Sequence, residues 1–266
     1  MAEHAQRFGG WHVAVTGAGT GIGQCIAHRL AAEGATLSIF ARDRKRLETT
    51  ARDVVAKGGA QPLVLDLDIR DRAAVERRFA EAASKLGPLR ALVANSGIGG
   101  PNGPSELGST DRFDDLVATN LSGTYACLRA AERHLAPGPA ARHLVAVSSI
   151  LARIGVAGYT GYCASKAGVL GLVRALAMEL APANVQVNAV CPGWVETSMA
   201  LDGLAGMAKA LSTTPEKARA IAMEDVPLGR MSAPEDVAGL VAWLLSADAR
   251  GVTGQALDMN NGAFMH

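Results

Sequence analysis

Short apolar runs rich in β-branched residues alternate along this chain with stretches whose apolar positions recur every three or four residues. The runs His12–Thr16, Thr36–Phe40, Pro62–Asp68, Leu89–Ala94, Arg142–Ser149, Asn184–Val190 and Ala256–Met259 predict strands. Between them, Ile26, Leu30 and Ala31, and then Leu47, Ala51 and Val54, mark the buried faces of two helices. Further helices are expected over Asp71–Leu86, Phe113–Leu135, a segment from Tyr162 to Leu180, and Pro234–Ser246. Ser198–Asp225 reads as helical, Ala- and Met-rich, and interrupted at Gly203, Gly206 and Pro215, while Gly99–Ser109 reads as a loop. Strands separated by helices of this length form right-handed βαβ units. The expected fold is therefore α/β: a single Rossmann-type, doubly wound parallel sheet of about seven strands with helices on both faces. No linker interrupts the pattern, so one domain over residues 1–266 is expected, with a lid at about 197–225.

Composition narrows the partners. A chain of 266 residues at 49% hydrophobic content can bury one large core. Its 26 basic and 25 acidic residues are interleaved and leave a net charge of +1, without the basic face that nucleic acid demands. Cys25, Cys127, Cys163 and Cys191 are too far apart for a metal site and are expected to be buried, reduced thiols. The N-terminal segment has no apolar signal core, and the longest apolar run, near Val237–Leu245, is far below the ~20 residues that span a bilayer. A cytoplasmic protein with a small-molecule partner, and with no metal, nucleic acid or membrane, is the expectation.

The first strand enters Gly17-Ala-Gly19-Thr20-Gly21-Ile22-Gly23 just before the first helix. Strand, glycine turn and helix together form a cradle for a dinucleotide: glycines admit the pyrophosphate, and the helix N-terminus offers free N–H groups. At the end of the second strand stand Ala41, Arg42 and Asp43. A carboxylate there accepts from a ribose 2′-OH, whereas arginine complements a 2′-phosphate. Asp43 is expected to cap the next helix, so Arg42, with Arg44, Lys45 and Arg46 behind it, favours NADP(H); NAD(H) stays open. The same charges also fit a solvated helix start.

Tyr162-Cys163-Ala164-Ser165-Lys166 places a phenol and an ammonium on one helical face, one turn apart. A nearby cation favours phenolate, which would make Tyr162 a usable acid or base near neutral pH. Ser149 closes the fifth strand thirteen residues earlier, at the same sheet edge, where its hydroxyl can hydrogen-bond a substrate oxygen. Each feature alone has a plainer reading: a tyrosine packed on a lysine stem, a turn-forming serine, and a satisfied core residue for Asn120 in the middle of its helix. Met199, Leu201, Leu204 and Met207 fit either an apolar lid or ordinary core.

Taken in order, these motifs resemble those of the short-chain dehydrogenase/reductases over nearly the whole chain. The landmarks are TGAGTGIG from Thr16, Asp68-Ile69, NSG from Asn95, Asn120, Ser149, Tyr162 with Lys166, and PGWVET from Pro192. The resemblance implies that Tyr162 is the general acid/base, that Lys166 lowers its pKa and holds the nicotinamide ribose, and that Ser149 orients the substrate oxygen. It assigns Asn120 to a water chain that refills the Tyr162 proton. Cofactor contacts are implied for Gly17, Thr20, Gly21, Ile22 and Gly23 around the phosphates, Arg42 at the 2′-phosphate, Asp68 and Ile69 at adenine, and Asn95 and Gly97 near the adenosine ribose. Pro192, Gly193, Val195 and Thr197 would flank the nicotinamide. The family usually assembles as a homotetramer or dimer. Two stretches differ from its pattern: Ala94-Asn95-Ser96-Gly97 has one asparagine where two are usual, and Asn260-Asn261-Gly262 replaces a common Asp-Gly-Gly at a subunit contact. The strand end at Ala41-Arg42 and the stretch NAVCPGWVETSMA look most like bacterial β-ketoacyl and polyketide ketoreductases. The expected reaction is NADPH-dependent reduction of a largely apolar keto substrate, with Tyr162 giving the proton. An NAD-dependent secondary alcohol dehydrogenase working oxidatively is the alternative, and a non-catalytic dinucleotide-binding regulator is a third reading.

Overall fold

The computed structural model describes residues 6–102 and 111–265. Seven strands form one parallel sheet: β1 His12–Thr16, β2 Thr36–Ala41, β3 Leu63–Asp66, β4 Ala91–Ala94, β5 Arg142–Val147, β6 Val185–Pro192 and β7 Ala256–Met259. Their order is β3-β2-β1-β4-β5-β6-β7. The order reverses between β1 and β4, and ligands of such sheets bind at the carboxyl ends of the strands beside that switch. Pairing is in register along β1, with Val13 opposite both Leu37 and Ala91, and Thr16 opposite both Phe40 and Ala94.

Side chains of a strand point alternately to its two faces, and both faces here are apolar. On one face Ala14, Phe40, Leu92 and Leu144 pack under α3 (Arg72–Leu86), α5 (Thr124–Arg133) and α6 (Thr160–Leu180). On the other, Val13, Val15, Ile39 and Val93 pack under α1 (Gly21–Ala32), α2 (Arg44–Ala56) and α9 (Pro234–Leu244). Asp43 does cap α2, its carboxylate accepting from Arg46 N at 3.2 Å, and Asp71 caps α3 in the same way at 2.9 Å.

Two expectations are corrected. The helix predicted over Phe113–Leu135 is α4 (Phe113–Val117), a π-helical stretch Ala118–Gly123, and then α5. The expected breaks at Gly203 and Gly206 do not occur: both lie inside α7 (Ser198–Ala210), because a helix tolerates glycine at about 1 kcal/mol. The interruption expected at Pro215 does occur: the chain breaks at 211–214, where Ser212 takes a φ of 50°, and Pro215 opens α8 (Pro215–Glu224) under a Thr214 cap. The loop expected over Gly99–Ser109 is described only to residue 102, and the rest lies outside the described residues. All four cysteines are free, as expected; Cys127 and Cys191 are buried, whereas Cys25 and Cys163 are half-buried. No helix among the described residues is long and apolar enough to cross a membrane.

The variant stretch Asn260-Asn261-Gly262 folds back on its own chain. Asn260 Oδ1 accepts from Gly262 N at 3.0 Å, and Asn261 Nδ2 donates to Arg230 O at 2.8 Å and to Ser232 Oγ at 3.2 Å.

Candidate active site

The glycine turn after β1 is built for close approach. Gly17 (φ 69°) and Gly21 (φ 54°) occupy the left-handed region that side chains disfavour. A Cβ on Gly23 would stand 2.2 Å from Gly17 O, so only glycine lets α1 seat this tightly on the turn. Thr20 is exposed at the N-cap of α1 without a side-chain cap, and Ile22 is half-buried in the first turn. The amides of that first turn therefore face outward, available to a phosphate.

Asn95 ties the turn to β4. Its Nδ2 donates to Thr16 O at 3.2 Å and Gly17 O at 3.3 Å, while the Thr16 hydroxyl accepts from the backbone of Asn95 and Ser96, both at 3.1 Å. One asparagine and one threonine thus support this strand end where a second asparagine is usual. On the β2 side, Arg44 pairs with Glu48 and Asp66, and Arg46 pairs with Asp43. Arg42 is exposed, and no carboxylate among the described residues stands at ion-pair distance from it. Its charge does reach Asp68, whose carboxyl is held below the usual range chiefly by hydrogen bonds from Arg70, the Arg70 Nη2 contact measuring 2.7 Å. Ile69 is buried beneath Asp68 and packs on Gly123.

At the adjoining strand ends, β5 runs into Ser148 and Ser149. Ser148 is committed to structure, its hydroxyl donating to Lys166 O at 2.9 Å. Ser149 caps a short 3-10 turn by accepting from Leu151 N at 3.1 Å, and its hydroxyl lies near enough to the Tyr162 phenol to favour the phenolate. Lys166 Nζ is buried, donates to Val147 O at 2.9 Å, and lies 5.7 Å from the Tyr162 ring centre. Burial pulls the Lys166 ammonium down to about 8. Burial also pushes the Tyr162 phenol above its ordinary value, with the Ser149 hydroxyl opposing that rise. The net direction is upward because desolvation of the phenolate outweighs the Ser149 contribution.

Asn120 sits in the π-helical stretch, fully buried. Its Oδ1 accepts from Ile98 N at 2.8 Å, and its Nδ2 donates to Ile98 O at 3.0 Å and to Ser165 Oγ at 3.2 Å. The extra residue of a π turn swings the amide out of the helix to reach these partners. A Cβ at Gly97 would lie 3.1 Å from Asn120 Oδ1 and 3.4 Å from Lys166 Nζ, so Gly97 lets the two side chains converge.

A family model described as enoyl-(acyl carrier protein) reductase matches residues 17–263, from the glycine turn to the C-terminal turn. The chain belongs to the short-chain dehydrogenase/reductase family. A Streptomyces virginiae protein described as a ketoacyl reductase of the monensin polyketide synthase is 37% identical over 249 residues, 93% of this chain and 95% of that protein. The 3-oxoacyl-[acyl-carrier-protein] reductase FabG of Staphylococcus aureus is 32% identical over 252 residues, 94% of this chain and 97% of the relative. Among solved structures, a variant of actinorhodin polyketide ketoreductase with NADPH superposes with a TM-score of 0.88 at 33% identity, over 99% of each chain.

The far side of this short-chain dehydrogenase/reductase cleft is formed by the segment after β6. Gly193 N donates to Met259 O at 2.9 Å, and a Cβ there would meet Asn260 at 2.9 Å. Pro192 ends β6, Val195 is buried, and Thr197 caps α7 by accepting from Ala200 N at 3.3 Å. A Cβ on Gly21 would meet the Thr197 methyl at 3.1 Å, which joins the two ends of the cleft. Phe113, Ile154, Val156, Met199 and Leu201 are exposed apolar side chains. Met199 overhangs the loop after β4, close enough that a Cβ at Gly99 would lie 2.8 Å from its sulfur.

Sequence reasoning did not single out Ser165, which links Asn120 to the Tyr162 carbonyl, its hydroxyl donating to that oxygen at 2.8 Å. It also missed Asn102, which is buried in a glycine-rich loop and accepts from Gly161 N at 2.9 Å. A helix led by Tyr159, a residue that cannot cap it, was the only hint that a cap must come from elsewhere.

Proposed function

We propose that the chain is an NADPH-dependent ketoreductase acting on a largely apolar keto substrate of the β-ketoacyl thioester or polyketide-like class. The observation that carries this reading is the convergence of the Ser149 and Tyr162 hydroxyls beside buried Lys166, next to a glycine turn flanked by an unpaired Arg42. The residues fit a phosphorylated dinucleotide: glycines where a Cβ would collide, free amides at the start of α1, and one arginine without an ion-pair partner at the β2 end. Bound there, the cofactor supplies hydride from its nicotinamide ring.

In this reading Gly17, Gly21, Gly23, Thr20 and Ile22 hold the pyrophosphate, and Arg42 holds the 2′-phosphate. Asp68 and Ile69 border the adenine, Asn95 and Gly97 border its ribose, and Pro192, Gly193, Val195 and Thr197 border the nicotinamide. Ser149 fixes the substrate oxygen, and Tyr162, kept protonated by its burial, gives that oxygen its proton. Lys166 holds the nicotinamide ribose and, with Asn120 behind it, opens the route by which the proton is restored. The apolar rim on α7, with α8 behind it, acts as a lid over an apolar acyl chain or ring. Met178, 81% exposed on the outer side of α6, suits a homo-oligomer, dimer or tetramer, which size-exclusion chromatography with light scattering reads directly.

NADPH oxidation across β-ketoacyl thioesters, cyclic diketones and aryl ketones tests the reading. Turnover with NADPH, strongest on keto thioesters or polyketide-like ketones, is expected. Silence across that panel, with secondary alcohols oxidised by NAD, would replace it with the oxidative dehydrogenase.

A further inference from the structure

The helix that carries Tyr162 does not cap itself. Its N-cap is Tyr159, which offers no side-chain acceptor to the first turn, so the free amides of α6 need a partner from elsewhere. The partner comes from the loop after β4: Asn102 Oδ1 accepts from Gly161 N at 2.9 Å, on the residue immediately before Tyr162. Asn102 is 6% exposed, and its backbone is equally committed. Its N–H donates to Gly158 O at 2.9 Å, and its carbonyl accepts from Arg112 N at 3.0 Å, just ahead of α4. Gly161 makes the approach feasible, since a Cβ there would stand 3.1 Å from Asn102 Oδ1 and 3.1 Å from Phe113 Cα. One asparagine therefore joins the loop after β4, the start of α4, the loop before α6, and the first turn of α6 itself.

We infer that Asn102 is a positioning residue for the reaction, a distant cap that fixes the first turn of α6 and so aims the Tyr162 hydroxyl at Ser149. The inference rests on the reading of Tyr162 as proton donor. The contacts of Asn102 given above are to Gly158, Gly161 and Arg112, none of which belongs to the glycine turn. Losing the cap should therefore slow the chemical step and leave cofactor binding alone. A displacement of about 1 Å at a reacting group can cost about a hundredfold in rate.

The test measures kcat and KM with acetoacetyl-coenzyme A and NADPH, together with the NADPH Kd by fluorescence titration, for wild type, Asn102→Ala, Asn102→Asp and Tyr162→Phe. Asn102→Ala should lose roughly 10- to 100-fold in kcat with both KM and NADPH Kd within about twofold. Asn102→Asp, which keeps an acceptor at the same place, should recover most of that loss. Wild-type kcat in Asn102→Ala, equal losses in the two Asn102 variants, or an NADPH Kd that weakens in step with kcat would each overturn the inference. Should Asn102→Ala fail to fold, Gly161→Ala carries the test, because its methyl group pushes the same contact apart: a kcat-only loss is expected, and an unchanged kcat overturns. An active Tyr162→Phe refutes the proton-donor reading beneath it, whereas an inactive Tyr162→Phe beside a fast Asn102→Ala refutes the positioning role alone.

Discussion

Tyr162 and Lys166 are moved by burial in opposite directions, and the result suits reduction. A phenol with a raised pKa stays protonated through neutral pH and is ready to donate. Lys166, pulled down to about 8, is charged below that value and neutral above it. Reductive kcat/KM measured with limiting NADPH should therefore hold level through neutral pH and fall as Lys166 loses its proton near 8; a level profile to about pH 10 would contradict this. The same shift has a stability consequence. Lys166 binds its proton more weakly folded than unfolded, so its burial costs stability at neutral pH, and the cost shrinks as pH rises above 8. Arg42 governs the other end of the cleft. A charge-assisted hydrogen bond is worth about 1.5–3 kcal/mol, so Arg42→Asp should weaken NADPH by roughly 10- to 100-fold and leave NADH nearly unchanged. Equal weakening of both cofactors, by isothermal titration calorimetry, would remove the 2′-phosphate from its role.

Elements bring these residues together, and they differ in how far the sequence discloses them. The limits of β1 and β7 and the Asp43 helix cap were readable because short apolar runs and capping chemistry are local. The glycine turn was readable for the same reason. Its closest contact predicts that Gly23→Ala, with a Cβ 2.2 Å from Gly17 O, destabilises by about 1–3 kcal/mol and weakens NADPH and NADH alike. An unchanged melting temperature with intact binding would show that the turn yields. The π stretch was not legible, because one extra residue in a turn leaves the apolar periodicity of its neighbours intact. Nor was the Asn102 cap, whose two ends are 59 positions apart in the chain. In the lid the interruption expected at Pro215 occurs, whereas those expected at Gly203 and Gly206 do not, because glycine was read as a breaker where the helix tolerates it.

Across the whole molecule, the switch between β1 and β4 sets the glycine turn, Asn95, Ser149 and the Tyr162 helix along one edge of a sheet covered on both faces. A ligand that binds only this folded edge stabilises the whole chain. NADPH at about a hundred times its Kd should add about 2.7 kcal/mol and raise the melting temperature by roughly 5–10 °C, with a smaller shift for NADH at the same concentration. Identical shifts would speak against a phosphate-selective site. The account turns on Tyr162, and the most direct measurement is kcat for NADPH-dependent ketone reduction in Tyr162→Phe, beside its NADPH Kd. The account predicts a loss of about 10²- to 10⁴-fold in kcat with Kd retained. Turnover near that of the wild type would contradict it.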